Sequence, residues 1–324
     1  MIRDGRPVDG GRWTVDGGRW GRVLTVFGAL VLSLSVCCKN RASDQVAKYI
    51  FLGHPYDWND AYRLDPRLEK IDYSQYDQVW LGGDVCSRLT EKPETLDYLD
   101  SLLDFSDEHV QWTLGNHDVM FGHPERIRQK TGKESFYVTP IDGITLLVLN
   151  TNLFWMYDSR PEQVQCEERQ AQYELIRSVL DTIQNSSHLV ILHHHALLKS
   201  SKPVELRDAF NTNPAAVAMT CDSTFQFDQL IYPKLVKVQE GGIQVVLVGG
   251  DLGMRVKRFE YRTPEGIWLL GSGINNSLKK ENKPEYVTTF DPDEVLIFKH
   301  DPIRQTLEWE FVRLDDMVRE LEGE

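Results

Sequence analysis

The sequence predicts an α/β sandwich with mixed sheets. Short apolar runs of strand length alternate with amphipathic stretches of helical spacing through most of the chain. The pattern then turns to closely spaced apolar runs towards the C-terminus, which implies hairpins beside the alternating part. Residues 45–324 contain no low-complexity linker, so one domain is expected, starting near Gln45. A hydrophobic content of 41%, a charged content of 26% and a mean hydropathy of −0.38 exclude disordered, collagenous and polytopic membrane classes. At 324 residues the chain is long enough to bury a substantial core.

Each element rests on its own residues. Ala47–Leu52 (AKYIFL) and Gln78–Leu81 (QVWL) are apolar runs bounded by turn residues and read as buried strands. From Glu94 to Phe105, Leu96, Leu99, Leu102 and Leu103 recur at helical spacing. Val110–Leu114 and Ile144–Leu149 read as the third and fourth strands, Glu162–Ile183 as a long helix and Leu189–Leu192 as the fifth strand. Phe225–Val238 reads as helical and Val245–Val248 as the sixth strand. Val256–Tyr261, Ile267–Leu270, Val295–Lys299 and Leu307–Val312 supply the β-rich end, and a short charged helix runs from Asp315.

Charge narrows the partners. Lys and Arg number 36 against 49 Asp and Glu, a formal charge of −13. Without the first 44 residues, 29 basic and 45 acidic side chains remain, a charge of −16. Such a surface repels phosphate polymers at long range, so no nucleic-acid partner is expected.

The N-terminal segment differs from the rest. Val8–Trp13 and Val15–Trp20 repeat Val-Asp-Gly-Gly-Arg-Trp, and two copies cannot build a stacked repeat architecture. This stretch reads as an extended positive region or as sequence upstream of the true start. Val23–Val36 is uncharged, too short to span a bilayer comfortably, and suited to the apolar part of an export signal behind Arg19 and Arg22. Leu34-Ser35-Val36-Cys37 resembles a bacterial lipobox, which makes Cys37 the lipidation candidate, although Val36 stands where a small residue is usual. Residues 1–44 are therefore expected to be a signal or lipoprotein-type export segment and tether, with the protein in the cell envelope and held to the membrane or periplasmic. Five cysteines do not make a disulfide framework in a chain this long. Of Cys86, Cys166 and Cys221 at least one is unpaired, and spacing does not say which.

The residues just beyond each strand carry the function. The first strand leads into Gly53-His54-Pro55-Tyr56-Asp57, the second into Gly82-Gly83-Asp84 and the third into Gly115-Asn116-His117-Asp118. The fifth ends in His193-His194-His195 and the sixth in Gly249-Gly250-Asp251-Leu252-Gly253. Ligands bind at the carboxyl ends of strands in α/β sheets, and glycine lets the backbone turn sharply and approach a ligand closely. A single Gly-Asp is an ordinary turn. The same placement on five strands is not.

With these motifs in view, the chain resembles the calcineurin-like metallophosphoesterases over nearly all of residues 48–275. The resemblance implies a four-layer α/β/β/α sandwich with two mixed sheets. It further implies one or two divalent ions of the Mn, Fe, Zn or Mg class, and hydrolysis of a phosphate mono- or diester on a phosphorylated small molecule or lipid. It makes Asp84 the carboxylate that bridges two metals, Asn116 an amide-oxygen ligand, and His193 the later histidine ligand, with His194 as the competing register. It makes His117 the acid for the leaving oxygen, with Asp118 orienting its ring. Two departures stand out. Leu52 occupies the place of the family's first aspartate, leaving His54 with Asp57 as the nearest substitute. Asp251 and Gly253 occupy the places of its last two histidines, so Asp251 is a carboxylate replacement. One tight metal and one weak, absent or rebuilt site are expected.

Other readings stay open beside this one. Arg88 lies just after Asp84 and suits a phosphate, or an ordinary surface ion pair. Lys199–Asp222 is a rim, a lid or a plain excursion, and Asn275-Asn276-Ser277 matches a glycosylation sequon. A degenerate, non-catalytic metal- or ligand-binding envelope lipoprotein is the main alternative, motivated by the two departures. A thiol hydrolase built on Cys86 and one of the three histidines would leave Asp84 and Asn116 unexplained.

Overall fold

The computed structural model describes residues 46–154, 162–197, 221, 227–251, 258–274, 279–282 and 291–323. The export segment, most of the 199–222 excursion and the sequon lie outside the described residues. Among those described, no helix is long and apolar enough to cross a membrane.

The described strands form two mixed sheets. They are β1 (Ala47–Leu52), β2 (Gln78–Leu81), β3 (Val110–Trp112), β4 (Tyr137–Ile141), β5 (Ile144–Val148), β6 (His188–His193), β7 (Gln244–Gly249), β8 (Arg258–Arg262), β9 (Trp268–Ser272), β10 (Glu294–Asp301) and β11 (Thr306–Arg313). One sheet runs β11-β10-β1-β2-β3 and the other β4-β5-β6-β7-β9-β8. β1, β2 and β3 are parallel, as are β5, β6, β7 and β9. The flanking strands β10, β4 and β8 pair antiparallel with them.

Side-chain alternation builds the layers. Tyr49 and Phe51 of β1 point with Trp80 between the sheets, where they meet Leu146, Val190 and Val246. Ile50 and Leu52 point the other way, against Leu96, Leu99 and Leu103 of helix α1 (Pro93–Leu103). On the second sheet, Leu189, Ile191 and Leu247 face outwards onto Ile176 and Leu180 of the later helix Gln163–Thr182. Three apolar layers between four layers of structure give the expected α/β/β/α sandwich. Burying each of these large side chains contributes about 1.5–3 kcal/mol against the entropy of ordering the chain.

Most predicted elements match within a few residues, with corrections. Two short helices come after the third strand, α2 (Asn116–Met120) and α3 (Glu125–Thr131). The long helix is α4 (Gln163–Thr182). The single helix expected over Phe225–Val238 is two, α5 (Phe227–Leu230) and α6 (Tyr232–Glu240), with Pro233 at the start of the second. β4 adds a strand to those predicted. It is an edge strand with a half-exposed pattern and Pro140 inside it, which an edge tolerates. The charged tail forms α7 (Leu314–Glu322).

Candidate active site

The two sheets touch at the carboxyl ends of their parallel strands, and glycines make this contact. A Cβ on Gly250, after β7, would lie 1.7 Å from the carbonyl oxygen of Gly82, after β2. One on Gly53, after β1, would lie 2.0 Å from the carbonyl oxygen of Ser272. No side chain fits at either position, so the strand-end glycines let side chains from both sheets meet.

Asp84 is the centre of this meeting. His54 Nε2 lies 3.3 Å and His194 Nε2 3.4 Å from its Oδ2, all three side chains being buried. Its Oδ1 accepts the backbone N–H of His117 at 2.7 Å. The rings of His54 and His194 stack with centroids 6.3 Å apart. His54 and Asp84 both hold positive φ, 53° and 52°. Non-glycine residues in this region are strained, and such strain concentrates at functional sites.

His195 brings a further imidazole, its Nε2 lying 3.3 Å from Oδ1 of Asn116. Three of the ring orientations share one logic. His194 Nδ1–H donates to the carbonyl of Gly82 at 2.8 Å, His193 Nδ1–H to that of His195 at 2.9 Å, and His117 Nδ1–H to that of Ser87 at 2.9 Å. A carbonyl can only accept, so each neutral ring carries its proton on Nδ1 and presents a bare Nε2. That is how metal-ligating imidazoles are usually held.

Asp118 sits differently from expectation. Its carboxylate accepts from the backbone N–H groups of Asp84, Val85 and Gly115 at 2.8–2.9 Å, and from Trp112 Nε1–H at 3.3 Å. It therefore braces the Asp84 and Asn116 loops against each other, while Ser87 rather than Asp118 holds the His117 ring. That ring also lies between Tyr56 and Phe121, with centroids at 5.6 and 5.8 Å.

The remaining candidates take a variety of places. Asp57 Oδ1 accepts the N–H of Asn59 at 2.8 Å and its Nδ2 at 3.2 Å, so the carboxylate holds its own turn. Leu52, in the place of the family's first aspartate, lies in the apolar core. Asp251 donates its backbone N–H to the carbonyl of His194 at 3.0 Å, and its charge acts on the His194 ring. Arg88 is exposed, pairs with Glu91 at 3.3 Å and lies over the Phe121 ring at 5.3 Å. Cys166 and Cys221 form a disulfide, and Cys86 is buried and free. Burial and the nearby Asp118 charge push the Cys86 thiol well above its ordinary range. That removes the thiolate a thiol hydrolase needs.

The electrostatics arise from burying these groups together. Burial works against a charged Asp84, but His194 and His54 outweigh it and hold the carboxyl well below its ordinary range. Burial likewise opposes charge on His194, and Asp84 lifts that ring to about 9. Burial and Asp84 push Asp118 up to about 7, against the pull of the Gly115 and Val85 N–H groups. Burial lowers His193 to about 4 and lowers His195 as well.

Among the described residues, no group of three or more His, Cys, Asp or Glu side chains is drawn into a ready metal cage. The donors nevertheless suit a divalent ion. Ligand atoms about 2.0–2.2 Å from one ion stand roughly 3.0–3.4 Å from each other, a spacing that the His54–Asp84 and His194–Asp84 contacts match. His194 Nε2 and His54 Nδ1 are buried with no hydrogen-bond partner. Carboxylate, imidazole and amide oxygen together fit Mn, Fe, Zn or Mg-class ions. His195 joins the candidate site by its contact with Asn116, a choice the sequence leaves open, because three identical residues in a row do not reveal which ring turns inwards.

The family model described as calcineurin-like phosphoesterase matches residues 48–250. Among solved structures, the chain is similar to GAP50, described as the anchor in the inner membrane complex of Plasmodium. The two share 7% identity and a TM-score of 0.50, with 83% of this chain and 85% of that one covered. It is also similar to a phosphopantetheinyl hydrolase from Mycobacterium tuberculosis, at 15% identity and a TM-score of 0.38, over 75% of this chain and 94% of that one. No curated protein matches. With the strand-end motifs, the two-sheet sandwich and a family match over more than half its length, the chain belongs to the calcineurin-like phosphoesterase family.

Proposed function

We propose that the protein hydrolyses a phosphate ester with a divalent metal held between its two sheets. One observation carries this reading: imidazoles from both sheets, His54 and His194, converge on the Asp84 carboxylate, with the His194 Nδ1 proton turned away on the Gly82 carbonyl and the Asn116 amide oxygen beside His195. Asp84, His194, Asn116 and His195 are the residues that would hold the ion, with His54 and Asp251 beside them. A bound divalent ion supplies Lewis acidity at the phosphoryl oxygens and an activated water.

The chain's own residues do the rest. Asn116 and His117 are the partly exposed members of the cluster, so a phosphoryl group approaches from their side. His117 has Nδ1 committed to Ser87, which leaves Nε2 to move a proton to the leaving oxygen. Tyr56 and Phe121 fix the plane of that ring. Asp118 keeps the Asp84 and Asn116 loops at a fixed spacing. Arg88 stands at the outer edge, where a phosphate would compete with Glu91 for its guanidinium.

Export belongs to the proposal as well. A disulfide between Cys166 and Cys221 fits an oxidising compartment, and the apolar stretch before Cys37 fits an export signal with lipid attachment.

The test is hydrolysis of a chromogenic aryl phosphodiester and the matching monoester by the full chain, stripped of metal and then supplied with Mn. The expected result is metal-dependent turnover that falls at least a hundredfold in Asn116→Ala and in His194→Ala. A folded protein that binds Mn but turns over neither ester with any divalent ion would instead support a ligand-binding role.

A further inference from the structure

The short helix that carries Asn116 and His117 also lends Val119 and Met120 to the wall of a cavity of about 630 Å³. That volume lies within the range of small-molecule sites, about 300–1,000 Å³. Its bed is apolar, formed by Phe105, Val110, Trp112, Leu114 and Ile127. Helix α4 closes it with Arg169.

Arg169 is unusual. Its side chain is buried, with 3% of the residue exposed, and its Nε has no hydrogen-bond partner. Among the described residues no carboxylate pairs with it, and burial lowers its affinity for its proton with nothing opposing. Most other charges of the wall are engaged elsewhere. Arg128 pairs with Glu134 at 2.8 Å, Glu125 with His123 at 3.1 Å, and Lys133 donates to the carbonyl oxygens of Val110 and Glu108. Glu168 also lines the cavity without pairing to Arg169.

A second polar group is orphaned in the same wall. Asn152 Nδ2 donates to the carbonyls of Leu114 and Gly115 and to Asn150 Oδ1, which fixes the amide orientation. Its Oδ1 is left buried without a donor. Buried polar groups are nearly always satisfied, and a buried charge needs a counter-charge. The cavity thus lacks an anion at Arg169 and a donor at Asn152, within an apolar bed.

We propose that this cavity binds an amphiphilic anion, with its apolar body on the Trp112 and Leu114 wall and a single carboxylate or phosphate group on Arg169. A hydroxyl or N–H of the ligand would serve Asn152. The site rests on its own geometry and not on the phosphoesterase reading.

The test is calorimetric titration of the full chain, kept in chelator so that no turnover contributes. The probes are octanoate, octyl phosphate, octanol and octyltrimethylammonium, all below their micelle concentrations. At least one of the two anionic probes is expected to bind at one site per chain, with octanol and the cation at least tenfold weaker. Arg169→Met is expected to weaken the anion at least tenfold and leave octanol unchanged, and Arg169→Lys to restore part of the loss. Equal binding of octanoate and octyl phosphate would support recognition of charge alone, and binding of octyl phosphate only would support a phosphate-headed ligand. Octanol binding as well as the anions, no binding of either anion, or unchanged anion affinity in Arg169→Met would overturn the proposal. The wild-type comparison of the two anions with octanol decides the matter even if a variant fails to fold.

Discussion

Replacing Gly250 by alanine puts a methyl group where the two sheets touch. The new Cβ would lie 1.7 Å from the Gly82 carbonyl oxygen, and 2.5 and 2.9 Å from that residue's C and Cα. All three are backbone atoms, so no side-chain rotation relieves the overlap. Restoring a 3.0 Å contact requires the strand ends to part by about 1.3 Å. The Gly82 oxygen is also the acceptor that holds His194 Nδ1 at 2.8 Å, so the movement reaches the ring facing Asp84. Overpacking of this kind costs about 1–3 kcal/mol. A misplacement near 1 Å in a catalytic constellation costs on the order of a hundredfold in rate. Urea denaturation and metal-dependent phosphodiester turnover measure the two effects separately. Gly132→Ala is the comparator: Gly132 has φ of 68° and no atom within 4 Å of a new Cβ. It should lose about 1–2 kcal/mol from its left-handed backbone and keep its turnover. If Gly250→Ala were as stable and as active as wild type, the close contact between the strand ends would not be what positions the site.

Three further outcomes are expected. Arg67 binds Asp65 and Asp315 at 2.8 Å and also pairs with Asp293, and two of these carboxylates are almost fully buried. Arg67→Met should cost about 3–5 kcal/mol in urea unfolding, whereas a loss under 1 kcal/mol would show that the network is not structural. Burial and the neighbouring His300 lower His188 to about 4, below the 6.5 of an unfolded histidine. Its contribution should be complete above pH 6.5 and decline as pH falls towards 4, at up to about 1.4 kcal/mol per pH unit. His188→Gln should flatten that part of the stability profile, and an unchanged slope would contradict the assignment. Reducing Cys166–Cys221, which spans 55 residues, should remove about 4 kcal/mol on the loop-entropy argument. Thermal unfolding with and without reductant reads this out, and equal midpoints would count against it.

Much of the fold and site is legible in the sequence, for identifiable reasons. β1, β2, β6 and β7 are buried on both faces, so each appears as a continuous apolar run, and the glycine beyond β1, β2 and β7 marks the contact between sheets. The residues beyond those strand ends make up the candidate site, because that is where the close glycine contacts bring the two sheets together. β4 is not legible, since Tyr137–Ile141 alternates weakly, carries Pro140 and is made a strand only by pairing with β5. The register at His193–His195 is invisible for a different reason. It depends on which carbonyl each Nδ1 finds, and those carbonyls belong to Gly82 and to His195 itself. The bracing role of Asp118 is hidden in the same way, because its four donors come from separate positions along the chain. The buried Arg169 gives no signal either, since a guanidinium on an amphipathic helix ordinarily faces water.

The most direct measurement is anomalous diffraction from crystals of the metal-stripped chain soaked in Mn. The predicted result is a strong peak at ligating distance from Asp84 Oδ2, shared with Nε2 of His194 and Oδ1 of Asn116, and absent from His194→Ala crystals. Peaks confined to surface carboxylates, with the His194–Asp84 contact intact beneath them, would contradict the central claim that these side chains form a metal centre.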